Sequence, residues 1–212
     1  KLAISHRNKP LIITGGPGSG KTLTLVRRTL NIIGKGLAKP EEIVLCSFTE
    51  KSARELKERI TRDAAAFEIE SDLSGLVVGT IHGICNDLIE KHRHETPLAN
   101  NFDVLDDITQ KFFFFQHFEE IVEADERTVL SWENRESYIN GKYQSKWTAI
   151  TGLLKYFDKI AEELVDPNQM LLDSEEETQL IARAYFRYVE ALRENNKIDF
   201  AHLQKVALEL IE

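Results

Sequence analysis

Residues 11–22 read Leu-Ile-Ile-Thr-Gly-Gly-Pro-Gly-Ser-Gly-Lys-Thr. A short apolar run, expected to be a buried strand, passes into a glycine-rich turn, and helical periodicity then runs from Thr22 to about Ile33. Between a strand and a helix, the spacing G-x-x-x-x-G-K-[ST] makes a phosphate cradle. Glycines let backbone N–H groups turn inward and approach phosphate oxygens closely. The helix N-terminus adds the positive end of its dipole. The binding candidates are Gly15, Gly16, Pro17, Gly18, Ser19, Gly20, Lys21 and Thr22. Lys21 is placed to reach the β- and γ-phosphates of a nucleotide and Thr22 to ligate Mg²⁺, so these two are the catalytic candidates.

Outward from the loop, strand and helix alternate. Ile43–Phe48 reads as a strand apolar on both faces, and residues 51–67 as a helix with Ala53, Leu56 and Ile60 on one side. Gly75 precedes a third strand, residues 76–79, and a helix from about His82 to His94. Apolar strands alternating with helices indicate a parallel sheet covered on both faces. After Pro97 the pattern becomes helical over 106–122, 126–138, 144–164, 174–195 and 199–211, with no strand signal. The expected division is therefore an α/β unit over 1–97 and a helical region beyond it.

Composition narrows the class. Hydrophobic residues make up 42% and charged residues 29% of the 212, enough for a packed core and against disorder. No apolar run reaches the roughly 20 residues of a membrane span, and no signal pattern is seen. Two cysteines, Cys46 and Cys85, form neither a disulfide framework nor a zinc site, which suggests a reduced, cytoplasmic setting. Net charge is -8 but uneven. Residues 1–97 hold 15 Lys and Arg against 12 Asp and Glu; residues 98–212 hold 12 against 23. A polyanion would be met only by the first part.

The second and third strand ends carry further candidates. In an open parallel sheet the carboxyl ends of the strands share one rim. Phe48, Thr49 and Lys51 follow one strand there, and Thr80 and His82 the other. An aromatic face, hydroxyls and a cation suit single-stranded nucleic acid, which binds by base stacking and phosphate contacts. Taken alone, Phe48 suits core packing better than base stacking, and His82 a helix start better than a DNA contact.

Three segments decide between these uses. The loop GGPGSGKT, the segment Ser47–Ile60 (SFTEKSARELKERI) and the segment Gly79–Ile89 (GTIHGICNDLI) occur in the order and spacing of one family. In them the chain resembles the N-terminal part of a UvrD/Rep/PcrA-type superfamily 1A DNA helicase. Phe102–Asp106 (FDVLD) resembles the segment leading into that family's helical 1B insertion. Ile198–Leu203 (IDFAHL) resembles the one returning to the first RecA-like subdomain. The resemblance implies a P-loop NTPase (RecA-like) parallel sheet with a mostly α-helical inserted subdomain: 1–97 as 1A, 98–196 as 1B, 197–212 as the return. It implies ATP and Mg²⁺ as cofactors at Lys21 and Thr22. It further implies a track for single-stranded DNA, or a single/double-strand junction, along Phe48, Thr49, Lys51, Thr80 and His82.

Departures accompany the resemblance. Glu50 stands where the family usually has Asn, which puts a negative charge beside the track. Leu23 replaces an Arg that stacks on adenine in many members. Gly83 replaces a common Ser and His202 a second acid, and neither is expected to matter. The family's adenine-reading Gln would precede Lys1, and its acidic strand, which holds Mg²⁺ and orients water, would follow Glu212. Val104–Asp107 is not that strand. The chain is therefore expected to be cut from a larger motor, with a second RecA-like domain elsewhere in its own chain. It is expected to bind ATP but hydrolyse it negligibly. Other readings are the motor part of a RecB/AddA-type helicase–nuclease, or a nucleotide-gated protein-interaction module without DNA binding.

Smaller features have plainer expected roles. Four consecutive Phe, 112–115, point all round a helix, so at least one leaves the core face. Lys91–His94 fits a helix C-terminus, and Glu175–Glu177 a helix start capped by Asp173 or Ser174.

Overall fold

The computed structural model describes residues 2–7, 9–96, 98, 101–123 and 146–211. The helical pattern expected at 126–138 lies outside them. The chain forms two compact units, residues 1–84 and 85–212, divided within one helix.

The first unit holds α1 (Leu2–Ser5), α2 (Lys21–Gly34), β1 (Val44–Ser47), α3 (Glu50–Ala66), β2 (Val77–Thr80) and the start of α4 (Ile81–Lys91). β1 and β2 pair in parallel, with Val44 opposite Val77 and Ser47 opposite Thr80. Helix α3 starts where Thr49, in extended conformation, caps it by accepting the Ser52 N–H at 3.1 Å. Its Ala53, Leu56, Ile60 and Ala64 are buried. Leu56 and Ile60 pack with Val26 and Leu30 of α2 and with Leu45 of β1. Burying each such side chain contributes roughly 1.5–3 kcal/mol, which fixes both helices on the sheet.

Two expectations fail in this unit. Residues 11–14 form no strand, and Ile12 is 88% exposed. The physical reason is pairing: no strand among the described residues lies beside them to satisfy their backbone, and an apolar run alone does not make a ladder. β1 is not buried on both faces either. Leu45 is buried while Val44 and Cys46 are exposed, the alternation of a sheet covered on one side.

The second unit is mostly helical but not wholly so. β3 (Asp103–Leu105) and β4 (Lys197–Asp199) form a parallel pair in a region read as strandless. Three-residue strands give no periodicity, and this pair exists because Ile198 is buried against Ile89, Leu203 and Ala207. Asp106 caps α5 (Asp107–Gln116) by accepting N–H groups of Ile108 and Thr109, so the Val104–Asp107 segment is a helix start. The helix expected over 106–122 breaks at His117, and α6 (Phe118–Ile121) follows. The helix expected to reach His94 ends at Lys91. The next long helices are α7 (Lys146–Glu162), α8 (Glu176–Glu194) and, after β4, α9 (Phe200–Glu209). Glu175, not Asp173 or Ser174, is the cap residue of α8; Asp173 instead accepts the Glu175 N–H at 2.8 Å.

The phenylalanine run divides by helix geometry. Phe113 and Phe114 are buried, and Phe114 stacks on Phe157 and Tyr188 with ring centres 5.7 Å away in each case. Phe112 and Phe115 are 56% and 44% exposed and lie 5.6 and 6.0 Å from the Trp147 ring.

A polar knot sits inside this apolar packing and corrects the expectation that His202 is indifferent. His202 is buried; Nδ1 lies 2.8 Å from Asp199 Oδ1 and Nε2 3.0 Å from the Tyr185 hydroxyl. Tyr188 donates to Asp199 Oδ2 at 2.7 Å. The Gln110 amide donates to Asp158 at 2.9 Å and to Asp199 at 3.3 Å. These bonds tie α5, α7, α8, β4 and α9 together. No helix among the described residues is long and apolar enough to cross a membrane.

Candidate functional site

The glycine-rich loop has the backbone its composition demands. Gly18 and Gly20 lie at φ 74° and 85°, the left-handed region that glycine enters without strain. At Gly15 a Cβ would come 2.6 Å from the Ser19 hydroxyl, which would have to turn away. Gly20 occupies the cap position of α2 and offers no side-chain oxygen, so the first N–H groups of the helix are not taken by a cap. Lys21 folds back over the loop and donates to the carbonyls of Gly15 at 2.5 Å and Gly16 at 2.8 Å. Thr22 is exposed at the helix start. Left-handed glycines, a helix N-terminus without a side-chain cap, a lysine over the loop and an exposed threonine are groups of the kind that meet phosphate oxygens.

Residues of α2 that the sequence reading missed hold the start of the chain. Arg28 donates to the carbonyls of Ala3 at 2.9 Å and His6 at 2.7 Å, and Asn31 to that of Ile4 at 3.3 Å. A polar residue on the inner side of an amphipathic helix was the available signal. Leu23, where an adenine-stacking Arg was looked for, is partly exposed.

The rim residues are brought together by the β1–β2 register. Ser47 and Thr80 are paired partners, so the segments after them leave the sheet at one edge. Phe48 is 99% exposed there, so the core-packing alternative for it does not hold. Lys51 is exposed and His82 half-buried. The hydroxyls have local partners: Thr49 Oγ1 donates to Ser52 Oγ at 2.9 Å, and Thr80 Oγ1 donates to Glu50 Oε1 at 2.6 Å while accepting the Gly83 N–H at 3.1 Å. Gly83, expected not to matter, is thus part of this edge. No ladder joins residues 11–14 to β1 or β2 among the described residues. No group of three or more His, Cys, Asp or Glu able to hold a metal occurs among the described residues.

The family model described as UvrD/REP helicase N-terminal domain matches residues 1–212. A probable DNA helicase II homolog of Mycoplasma capricolum is 26% identical over 95% of the chain. The ATP-dependent DNA helicase SRS2 of Saccharomyces cerevisiae is 25% identical over 99% of it. The ATP-dependent DNA helicase PcrA of Staphylococcus aureus is 24% identical over 99%. The chain spans only 25%, 18% and 26% of the length of these relatives, respectively.

Proposed function

Because the chain belongs to the UvrD/REP helicase N-terminal domain family, we propose that it is the ATP- and single-stranded-DNA-binding N-terminal region of an ATP-dependent 3′-to-5′ DNA helicase acting in repair or recombination. The observation that carries this reading is the loop at 15–22, where left-handed glycines, a bare helix start and Lys21 converge. In this reading residues 1–97 are a RecA-like ATP-binding subdomain, 98–196 its helical insertion and 197–212 the return.

Lys21 would hold the β/γ-phosphates of ATP, and Thr22 the Mg²⁺ that neutralises them. Phe48 would stack on a base, and Lys51 would meet the strand's phosphates, with Thr49, Thr80 and His82 lining the path. The segment that would position water and complete the Mg²⁺ shell, an apolar strand ending in paired acids, is not found in the sequence. This polypeptide therefore binds nucleotide without motor-like turnover, and its partner is a second RecA-like domain of the same motor. A cytoplasmic setting goes with this role.

The test is a pair of titrations on the purified chain, Mg·ATP by calorimetry and a fluorescent oligothymidylate by anisotropy. Both should bind, the second weakly. A chain that takes up nucleotide but no oligonucleotide at low salt would instead be a nucleotide-gated interaction module, a reading that the acidic Glu50 on the rim favours.

A further inference from the structure

The Thr80 hydroxyl has one proton and two lone pairs to offer. Its proton goes to Glu50 Oε1 at 2.6 Å, and one lone pair takes the Gly83 N–H at 3.1 Å. The contact with Glu50 joins residues thirty apart, from the first turn of α3 to the end of β2. It is therefore a tertiary bond across the edge where Ser47 and Thr80 pair, and no helix-start preference requires it. An acid in a first helical turn gains from the dipole wherever its carboxylate points. Here the carboxylate is directed at one hydroxyl.

Gly83 makes the room. A Cβ on it would come 3.1 Å from Thr80 Oγ1, closer than ordinary contact, and 3.4 Å from Glu50 Oε1, at ordinary contact, so a side chain there would press on the Thr80 end of the bond. Residues 50, 80 and 83 thus meet at one hydroxyl. Phe48, two residues before Glu50, stands 99% exposed on the same edge.

We propose that Glu50 is a specificity-determining gate on the strand-end rim: it engages the hydroxyl proton that Thr80 would otherwise offer to a phosphate and sets a negative charge beside it. This inference rests on the reading of the rim as a DNA track. Phe48 can still accept a base, so the gate acts on the charged backbone of the strand and not on its bases. A phosphate reaches Thr80 only when the carboxylate has left it. The rim then favours strands whose phosphate at this step is already drawn elsewhere, as by Lys51 or by another domain, over loosely held ones.

The experiment uses the whole chain and two probes of equal length, oligothymidylate with natural phosphodiester links and oligothymidylate with neutral methylphosphonate links. Each is titrated at low and moderate salt with wild type, Glu50→Gln and Phe48→Ala, and circular dichroism checks that the fold is kept. Glu50→Gln should bind the phosphodiester strand about fivefold more tightly, the size of one like-charge contact at about 4 Å in water. The gain should shrink as salt rises. The methylphosphonate strand should show no such gain. If Phe48→Ala weakens binding while Glu50→Gln leaves it unchanged, or improves both probes alike, the gate is wrong and the track stands. If neither wild type nor Glu50→Gln binds either probe, the track reading falls and the gate with it.

Discussion

The Asp199 carboxylate lies 2.8 Å from Nδ1 of His202 and accepts the backbone N–H of the same residue, also at 2.8 Å. One buried oxygen thereby caps α9 and fixes the ring that reaches Tyr185. Burial by itself would raise the Asp199 pKa. The His202 charge and the bonds from His202 and Tyr188 outweigh it and hold the carboxyl below the ordinary value of 3.8. In the unfolded chain the carboxyl binds a proton more readily, so its contribution to stability is full above the ordinary pKa and disappears as pH falls through the lower, folded one.

Asp199→Ala should therefore destabilise the helical unit by about 3–5 kcal/mol at neutral pH, the cost of removing one partner from a buried pair. Asp199→Asn should also lose part of the steep acid limb. Urea denaturation midpoints followed from neutral pH down through the carboxylate range measure both effects, and an Asn variant with an unchanged acid limb would show that the pair does not govern acid unfolding.

Asp158 should behave in the opposite sense. Burial raises its pKa, the Gln110 bond works against that, and the Asp199 charge adds to it. A raised carboxyl contributes stability below its ordinary pKa and loses it as pH climbs through the folded value. Asp158→Asn, which keeps an oxygen for the Gln110 amide, should match wild type in acid and gain on it at neutral pH. The same denaturation series reads this as a gap between the two curves that opens as pH rises.

Phe114→Ala and Phe112→Ala, two positions apart, should differ sharply. Phe114 is fully buried in a stack of rings, so its truncation should cost about 3–5 kcal/mol. Phe112 faces solvent beside Trp147, and its loss should stay near the roughly 0.5 kcal/mol of surface changes. Thermal melts of the two variants decide it, and similar losses would mean that helix α5 is turned differently from the packing described.

Lys21→Ala should abolish binding of Mg·ATP and Mg·ADP in calorimetry by removing the cation over the loop. The unmutated chain should bind nucleotide yet release phosphate no faster than the alanine variant in a coupled assay. Turnover at the rate of an intact motor would mean that residues within this chain supply the missing acids.

Phe48→Ala should cost about 1–3 kcal/mol in single-strand binding, the range for one stacked base. With few cations on the rim, log K should fall with log salt at a shallow slope, on the order of two or three phosphates neutralised. Anisotropy titrations at several salt concentrations give both numbers. Binding that survives Phe48→Ala with an intact fold would move the strand off this edge.

Much of the first unit could be read residue by residue. The loop follows from glycine spacing, because left-handed backbone favours glycine at Gly18 and Gly20. Helix α3 follows from apolar spacing and a Thr49 cap, both local properties. The β3–β4 pair was not legible, since three-residue strands carry no period and owe their existence to Ile198 and its buried neighbours.

The sequence by itself determined the glycine-rich loop, the alternation of strand and helix from β1 to α4, and the family, because these rest on backbone rules and spacings within a few residues. Only the tertiary structure decided that residues 11–14 stay unpaired and that Phe48 stands in solvent. Only it decided that Thr80 is held by Glu50 and that His202, not an acid, closes the buried knot with Asp199. Each of these depends on what lies opposite in space, across thirty residues for Thr80 and Glu50, and a hydrogen bond over that separation leaves no periodic trace in the chain.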